Sequence, residues 1–162
     1  MSLQNELSSV SWDSSWALFL DRDGVINRKL PEAYVRYWEE FEFLPGVLEN
    51  IQVLTSYFAY TFLVTNQQGI GKGLMDEKML KGIHQKMENN ILEYGGKLDA
   101  IYYCPHLASN LACTCRKPQS GMALKAKEEF PKIDFSKSLM VGDADTDMVF
   151  GKNLGMITIQ VL

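Results

Sequence analysis

Short apolar runs that stop at polar residues alternate along this chain with stretches whose apolar positions recur at helical spacing. Residues 16–20, WALFL, are continuously apolar and end at the polar turn DRDGVIN, which predicts a short buried strand. AYTFLVTN at 59–66, rich in β-branched and aromatic residues, predicts a second strand. KLDAIYYC at 97–104, SLMVGD at 138–143 and MITIQV at 156–161 predict three more. Between them, residues 45–54 open on Pro45, which suits a first helical turn. The stretch 76–96 is amphipathic, with Met79, Leu80, Ile83, Met87 and Ile91 on one face, Asp76 to cap it and Gly95 to end it. His84 is assigned to the polar side of that helix, as plain surface. Residues 120–130 and 146–155 predict two further helices.

Strands alternating with helices imply an α/β fold with a parallel, doubly wound sheet. One domain over residues 15–162 is expected, preceded by a flexible arm over 1–14. A closing helix is expected after the last strand, where the sequence stops at Leu162. The stretch from Asp23 to Pro45 suffices for a flap and not for a large cap domain. Lys29, Tyr34 and Arg36 in it are within reach of a substrate, but solvated surface is the plainer expectation.

The polar residues at the strand ends carry the chemistry. Asp21 and Asp23 follow the first strand, Thr65 and Asn66 end the second, Cys104 ends the third and Asp143 the fourth. Doubly wound sheets build their sites at this edge. Any one Asp there reads equally as a cap or turn former. Three carboxyl groups at one edge repel unless a cation neutralises them. Oxygen donors favour Mg²⁺, which also suits a phosphate substrate.

Charge narrows the partners. With 16 Lys and Arg against 20 Asp and Glu, the net charge is −4, so no protein-wide basic field for nucleic acid exists. An anionic substrate must be held locally. No apolar run spans a bilayer, and the Ser-rich N-terminus lacks the apolar core of a secretory signal. A cytoplasmic monomer is expected. GIGKG at 69–73 fits neither the Walker nor the dinucleotide-binding pattern.

All three cysteines lie in YYCPHLASNLACTCRKP, residues 102–118. An odd count argues against a disulfide framework. Cys104, His106, Cys113 and Cys115 supply the four ligands of a closed tetrahedral zinc site. Buried free thiols or a redox pair are the competing readings, and a redox pair leaves His106 and the third thiol without a role.

FLDRDGV resembles the first motif of the haloacid dehalogenase superfamily of phosphotransferases, VTN the second, Lys117 in CRKP the third and GDADTD the fourth. They stand in the family's order from Leu18 to Asp147. The resemblance implies that Asp21 is the nucleophile, forming an aspartyl-phosphate, and Asp23 the general acid and base. It implies Mg²⁺ on the Asp21 and Asp143 carboxylates and the Asp23 carbonyl, with Thr65 and Lys117 on the phosphoryl oxygens. Asp147 is expected to orient Lys117 or a metal-bound water, or to serve as an early-helix acid. The cysteine loop is similar to the branch of heptose bisphosphate and histidinol-phosphate phosphatases, where zinc is structural and pins the loop carrying Arg116 and Lys117. That branch implies substrate contacts from Asn66, Gln67, Gln68 and Arg116. TNQQGIGKG, EFEFLPGV and SLMVGD are nearer the heptose type, implying removal of the 7-phosphate of D-glycero-D-manno-heptose 1,7-bisphosphate. The short His106–Cys113 gap is nearer the histidinol-phosphate type, which is the alternative, and Ala144 stands where the heptose enzymes have a basic residue.

Two other classes remain on the residues alone. A phospho-receiver domain also clusters Asp, Thr and Lys with Mg²⁺, but its phosphoacceptor follows a middle strand. A zinc-dependent nucleic-acid module would need basic residues interleaved with aromatics, which are lacking here.

Overall fold

A computed structural model describes residues 10–162. Five strands, β1 (Ala17–Leu20), β2 (Tyr60–Asn66), β3 (Ala100–Cys104), β4 (Ser138–Gly142) and β5 (Ile157–Gln160), form one sheet in the order β3-β2-β1-β4-β5. Every pairing is parallel. Four helices cross over between them: α1 (Val47–Ser56), α2 (Glu77–Glu93), α3 (Gly121–Glu129) and α4 (Asp145–Asn153). This is the doubly wound α/β arrangement expected, with a flap in place of a large cap. The helix at 45–54 begins two residues later than predicted, because Gly46 in a left-handed conformation (φ +84°) turns the chain after Pro45. In α2, the Asp76 carboxylate accepts the Met79 N–H at 2.8 Å, and Gly95 at φ +81° lets the chain turn away.

Side chains alternate across the sheet, so its two faces have separate cores. Leu18, Leu20 and Leu63 pack with Ile51 of α1 and Leu80, Ile83, Met87 and Ile91 of α2. Ala17, Phe19, Phe62, Val64 and Met140 pack with Met122, Ala123 and Ala126 of α3 and Phe150 of α4. Both faces are covered, which is why the strands read as unbroken apolar runs.

Of the N-terminal arm, residues 1–9 lie outside the described residues. Val10 packs against the first core, and the Trp12 ring lies 4.3 Å from that of Trp16. The flap contributes Ile26, Val35 and Phe41 to the same core. Among the described residues no helix is long and apolar enough to cross a membrane.

Candidate active site

Parallel register brings the strand ends together. Leu20 pairs with Leu63 on one side and Val141 on the other, so Asp21, Thr65 and Asp143 emerge at the same edge of three adjacent strands. The Asp21 N–H continues the ladder to Val141 O at 2.9 Å. Asp21 is buried, and that desolvation, the largest influence, raises its pKa to about 6 against the opposing pull of Lys117.

Lys117 reaches this edge from the loop after β3. Its side chain is buried, and its ammonium has three acceptors: Asp21 Oδ1 at 2.8 Å, Val64 O at 2.7 Å and Asp147 Oδ1 at 2.6 Å. Asn66 fixes the backbone behind it. Its Oδ1 accepts the Lys117 N–H at 2.9 Å and its Nδ2 donates to Lys117 O at 3.1 Å. Besides meeting Lys117, Asp147 accepts the Ala144 N–H at the start of α4 through Oδ2, at 3.1 Å. Gly142 makes room for it, because a Cβ there would overlap the Asp147 carboxylate.

Asp23 is held by three donors. Arg22 Nη2 (2.8 Å) and Asn27 Nδ2 (3.0 Å) meet Oδ1, and Gln67 Nε2 meets Oδ2 at 2.9 Å. Burial opposes ionisation of Asp23, but Arg22 and the other donors outweigh it and hold the carboxyl below its usual pKa. The same Gln67 amide donates to Thr65 Oγ1 at 2.9 Å, which leaves the threonine hydroxyl hydrogen free.

Two residues here were not assigned to the site from the sequence. Arg22 is fully buried, with its guanidinium carbon 5.9 Å from the Phe41 ring centre. Its Nη1 lies 3.1 Å from Nε2 of His84, which is buried and not surface as expected. Burial first and Arg22 second depress the His84 pKa to about 3, so the ring is neutral and accepts. The signal was available: His84 is four residues after Leu80 and three before Met87, on the apolar stripe.

A cleft of about 280 Å³ opens over these groups. Asn66, Gln67, Arg116, Lys117 and Ala144 line it, and so do two flap residues, the half-buried Tyr34 and Lys29, whose side chain is exposed as expected. Lys29 Nζ lies 2.8 Å from Asp143 Oδ2, whereas Arg36 pairs with Glu40 at 3.6 Å. Gln68 turns from the cleft: it donates to Tyr34 OH (3.0 Å) and accepts the Ala108 N–H (3.0 Å), tying flap to cysteine loop. Among the buried polar atoms of the residues lining the cleft that have no partner are Asp143 Oδ1 and Arg116 Nη1. Carboxylate oxygens of Asp21, Asp143 and Asp147 come within 4.8 Å of one another. An orphaned carboxylate oxygen beside a second carboxylate is what a small hard cation would satisfy. Gly24 (φ +87°) allows the flap to pass so close, since a Cβ would overlap the Asp143 carboxylate.

The four soft ligands also converge. Cys104 Sγ and Cys113 Sγ are 3.5 Å apart and Cys113 and Cys115 3.6 Å, with His106 Nδ1 3.1–3.5 Å from the three sulfurs. A tetrahedron with Zn–S bonds of ~2.3 Å has sulfurs about 3.8 Å apart, so the cluster fits such an ion closely. Burial opposes thiolate at Cys113, but the Arg116 and Cys115 N–H groups overcome it and bring the thiol down to about 6. Neither disulfide nor redox pair is needed to account for this set, and all three cysteines are free thiols.

Residues 114–162 match the HAD-hydrolase-like family model. A Mycobacterium tuberculosis protein named D-glycero-alpha-D-manno-heptose-1,7-bisphosphate 7-phosphatase is 40% identical over 139 residues, covering 86% of this chain and 73% of that one. The D-glycero-beta-D-manno-heptose-1,7-bisphosphate 7-phosphatase of Vibrio cholerae is 40% identical over 148 residues, covering 88% and 78%. The crystal structure of D,D-heptose 1,7-bisphosphate phosphatase from B. bronchiseptica, complexed with magnesium and phosphate, superposes with a TM-score of 0.81 at 35% identity, covering 88% of this chain and 78% of that one.

Proposed function

Because this chain belongs to the haloacid dehalogenase-like phosphatases of the heptose bisphosphate type, we propose that it removes the 7-phosphate of D-glycero-D-manno-heptose 1,7-bisphosphate. The observation that carries the reading is the meeting of Asp21, Asp23, Thr65 and Lys117 at one sheet edge, with Asp147 behind the lysine. In the first step an Asp21 oxygen attacks phosphorus, the P–O bond to the sugar breaks, and Asp23 protonates the departing oxygen. In the second, water gives a proton to Asp23 and attacks the aspartyl-phosphate, which releases phosphate and restores the Asp21 carboxylate. Thr65 donates its free hydroxyl hydrogen to a phosphoryl oxygen. Lys117 exchanges its contact with Asp21 for another such oxygen, keeping Val64 O and Asp147 as anchors.

Asp21, Asp143 and the Asp23 carbonyl would hold Mg²⁺, whose charge offsets the repulsion between a carboxylate nucleophile and a phosphate dianion. The resting pKa shifts run against the roles, with Asp21 raised and Asp23 lowered. Bound ligands reverse them: a cation beside Asp21 favours its ionised form, and a phosphate dianion beside Asp23 favours its protonated form. Arg116, with its unpartnered Nη1, and Lys29 are the cations left to meet the distal part of the substrate.

The deciding experiment compares kcat/KM for both anomers of the heptose bisphosphate with that for histidinol phosphate. The heptose reading requires a preference of at least about tenfold for one heptose anomer. Preference for histidinol phosphate would replace it with the alternative.

Cys104, His106, Cys113 and Cys115 would hold one structural Zn²⁺. The ion does no chemistry there; the loop has no regular secondary structure, and Arg116 and Lys117 follow directly from its last ligand. Protein purified without added metal is expected to carry one equivalent of zinc. Stripping it should remove most activity while far-UV circular dichroism changes little, because one core lies wholly outside the loop and the other meets it only through Cys104, Cys113 and Cys115. Added Mg²⁺ should not restore the rate. Full activity in zinc-free protein would refute the scaffold role.

A further inference from the structure

Arg22 and His84 form a buried pair that the phosphoryl-transfer steps above do not use. We propose that His84 is a positioning residue for the reaction: it fixes Arg22, which in turn holds the Asp23 carboxyl toward the departing oxygen. The proposal rests on the reading of Asp23 as acid and base.

Arg22 has zero exposure, so its guanidinium is held by protein groups and not by solvent. Nη2 takes Asp23 Oδ1, Nη1 takes His84 Nε2, and Nε has none. A guanidinium bonded only to its chain neighbour could turn about its terminal bonds and carry the carboxylate with it. His84 supplies a second anchor from α2, a helix fixed to the sheet through Leu80, Ile83, Met87 and Ile91. The Phe41 ring near the guanidinium closes a third side. Asp23 is thereby referenced to α2, to the flap through Asn27 and to the end of β2 through Gln67. With a neutral ring, His84 offers the lone pair that this bond requires, and no second cation enters the pocket.

A buried histidine in a purely packing role would be served as well by leucine. A positioning role asks for an acceptor at the right reach. Three variants separate the two. The amide oxygen introduced by His84→Gln can accept the Arg22 N–H, the amide of His84→Asn is too short, and His84→Leu fills the volume without an acceptor. Each is assayed with Mg²⁺, well below its own melting temperature, on whichever of heptose bisphosphate and histidinol phosphate the wild type prefers. The alkoxide leaving oxygens of both need the proton from Asp23. His84→Leu and His84→Asn should lower kcat by about ten- to a hundredfold with KM within about twofold, the scale expected for a misplaced catalytic group. His84→Gln should recover kcat to within about threefold of wild type. Wild-type kcat in the Leu and Asn variants overturns the inference, as does a Gln variant no better than Leu. Should the Leu protein fail to fold, the Gln–Asn comparison decides alone. Absence of wild-type turnover would instead overturn the phosphatase reading and remove the inference with it.

Discussion

Asp21→Asn is expected to abolish turnover of every phosphate ester and, in magnesium-free buffer near pH 7, to raise the melting temperature by a few degrees. The amide cannot attack phosphorus, so steady-state phosphate release should fall to background. The gain in stability follows from the burial of Asp21, whose folded pKa of about 6 lies above its ordinary 3.8. A carboxyl with a raised folded pKa binds its proton more tightly in the native state. Its stabilising contribution is complete below pH 3.8 and is lost as pH rises through about 6, so at neutral pH ionisation costs on the order of 1–3 kcal/mol. Asparagine removes that cost, and Lys117 keeps Asp147 as a counter-charge. Melting curves from pH 4 to 8 should show the two proteins diverging as pH rises. Turnover by the variant would refute the nucleophile, and parallel curves would refute the burial argument.

Lys117→Met should be the most damaging change on both counts. It removes the phosphoryl contact and strands two buried carboxylates, Asp21 and Asp147, which among the described residues share Lys117 as their cation. Removing one partner of a buried ion pair costs about 3–5 kcal/mol. For a domain of this size that lowers the melting temperature on the order of 10 °C. Acidification should recover part of the loss, since protonated carboxyls no longer repel. Lys117→Arg restores the charge but should restore little activity. Its planar fork cannot meet three acceptors placed around a compact ammonium. An unchanged melting temperature in the Met variant would show that the carboxylates find other compensation.

What could be read before folding follows from where each signal resides. Asp21, Asp23, Thr65 and Asp143 were legible because buried strands end abruptly in polar residues, and parallel register must align those ends. The cysteine loop was legible from ligand chemistry alone. Strand order was not, because five apolar runs contain no record of their neighbours. Arg22 was hidden because its burial depends on partners 62 residues away, and nothing in DRDG distinguishes a buried arginine from a solvated one. Gln67 and Gln68 read alike in sequence, yet the turn after β2 sends one to Asp23 and the other to the flap and cysteine loop. Tyr34 was read as surface because flap residues show no periodicity to give their direction.

The position of Lys117 is set from two fixed references, the Cys/His cluster just before it and the paired hydrogen bonds from Asn66. Of the six residues between His106 and Cys113, Asn110 meets the first, its O accepting the Cys113 N–H at 3.1 Å. They run along the surface as exposed turns, with Leu111 almost wholly in solvent. Lengthening such a loop is cheap, at about 0.6 kcal/mol for each doubling. Residues can therefore be gained or lost at this surface turn while the Asn66 reference and the residues lining the cleft keep their places.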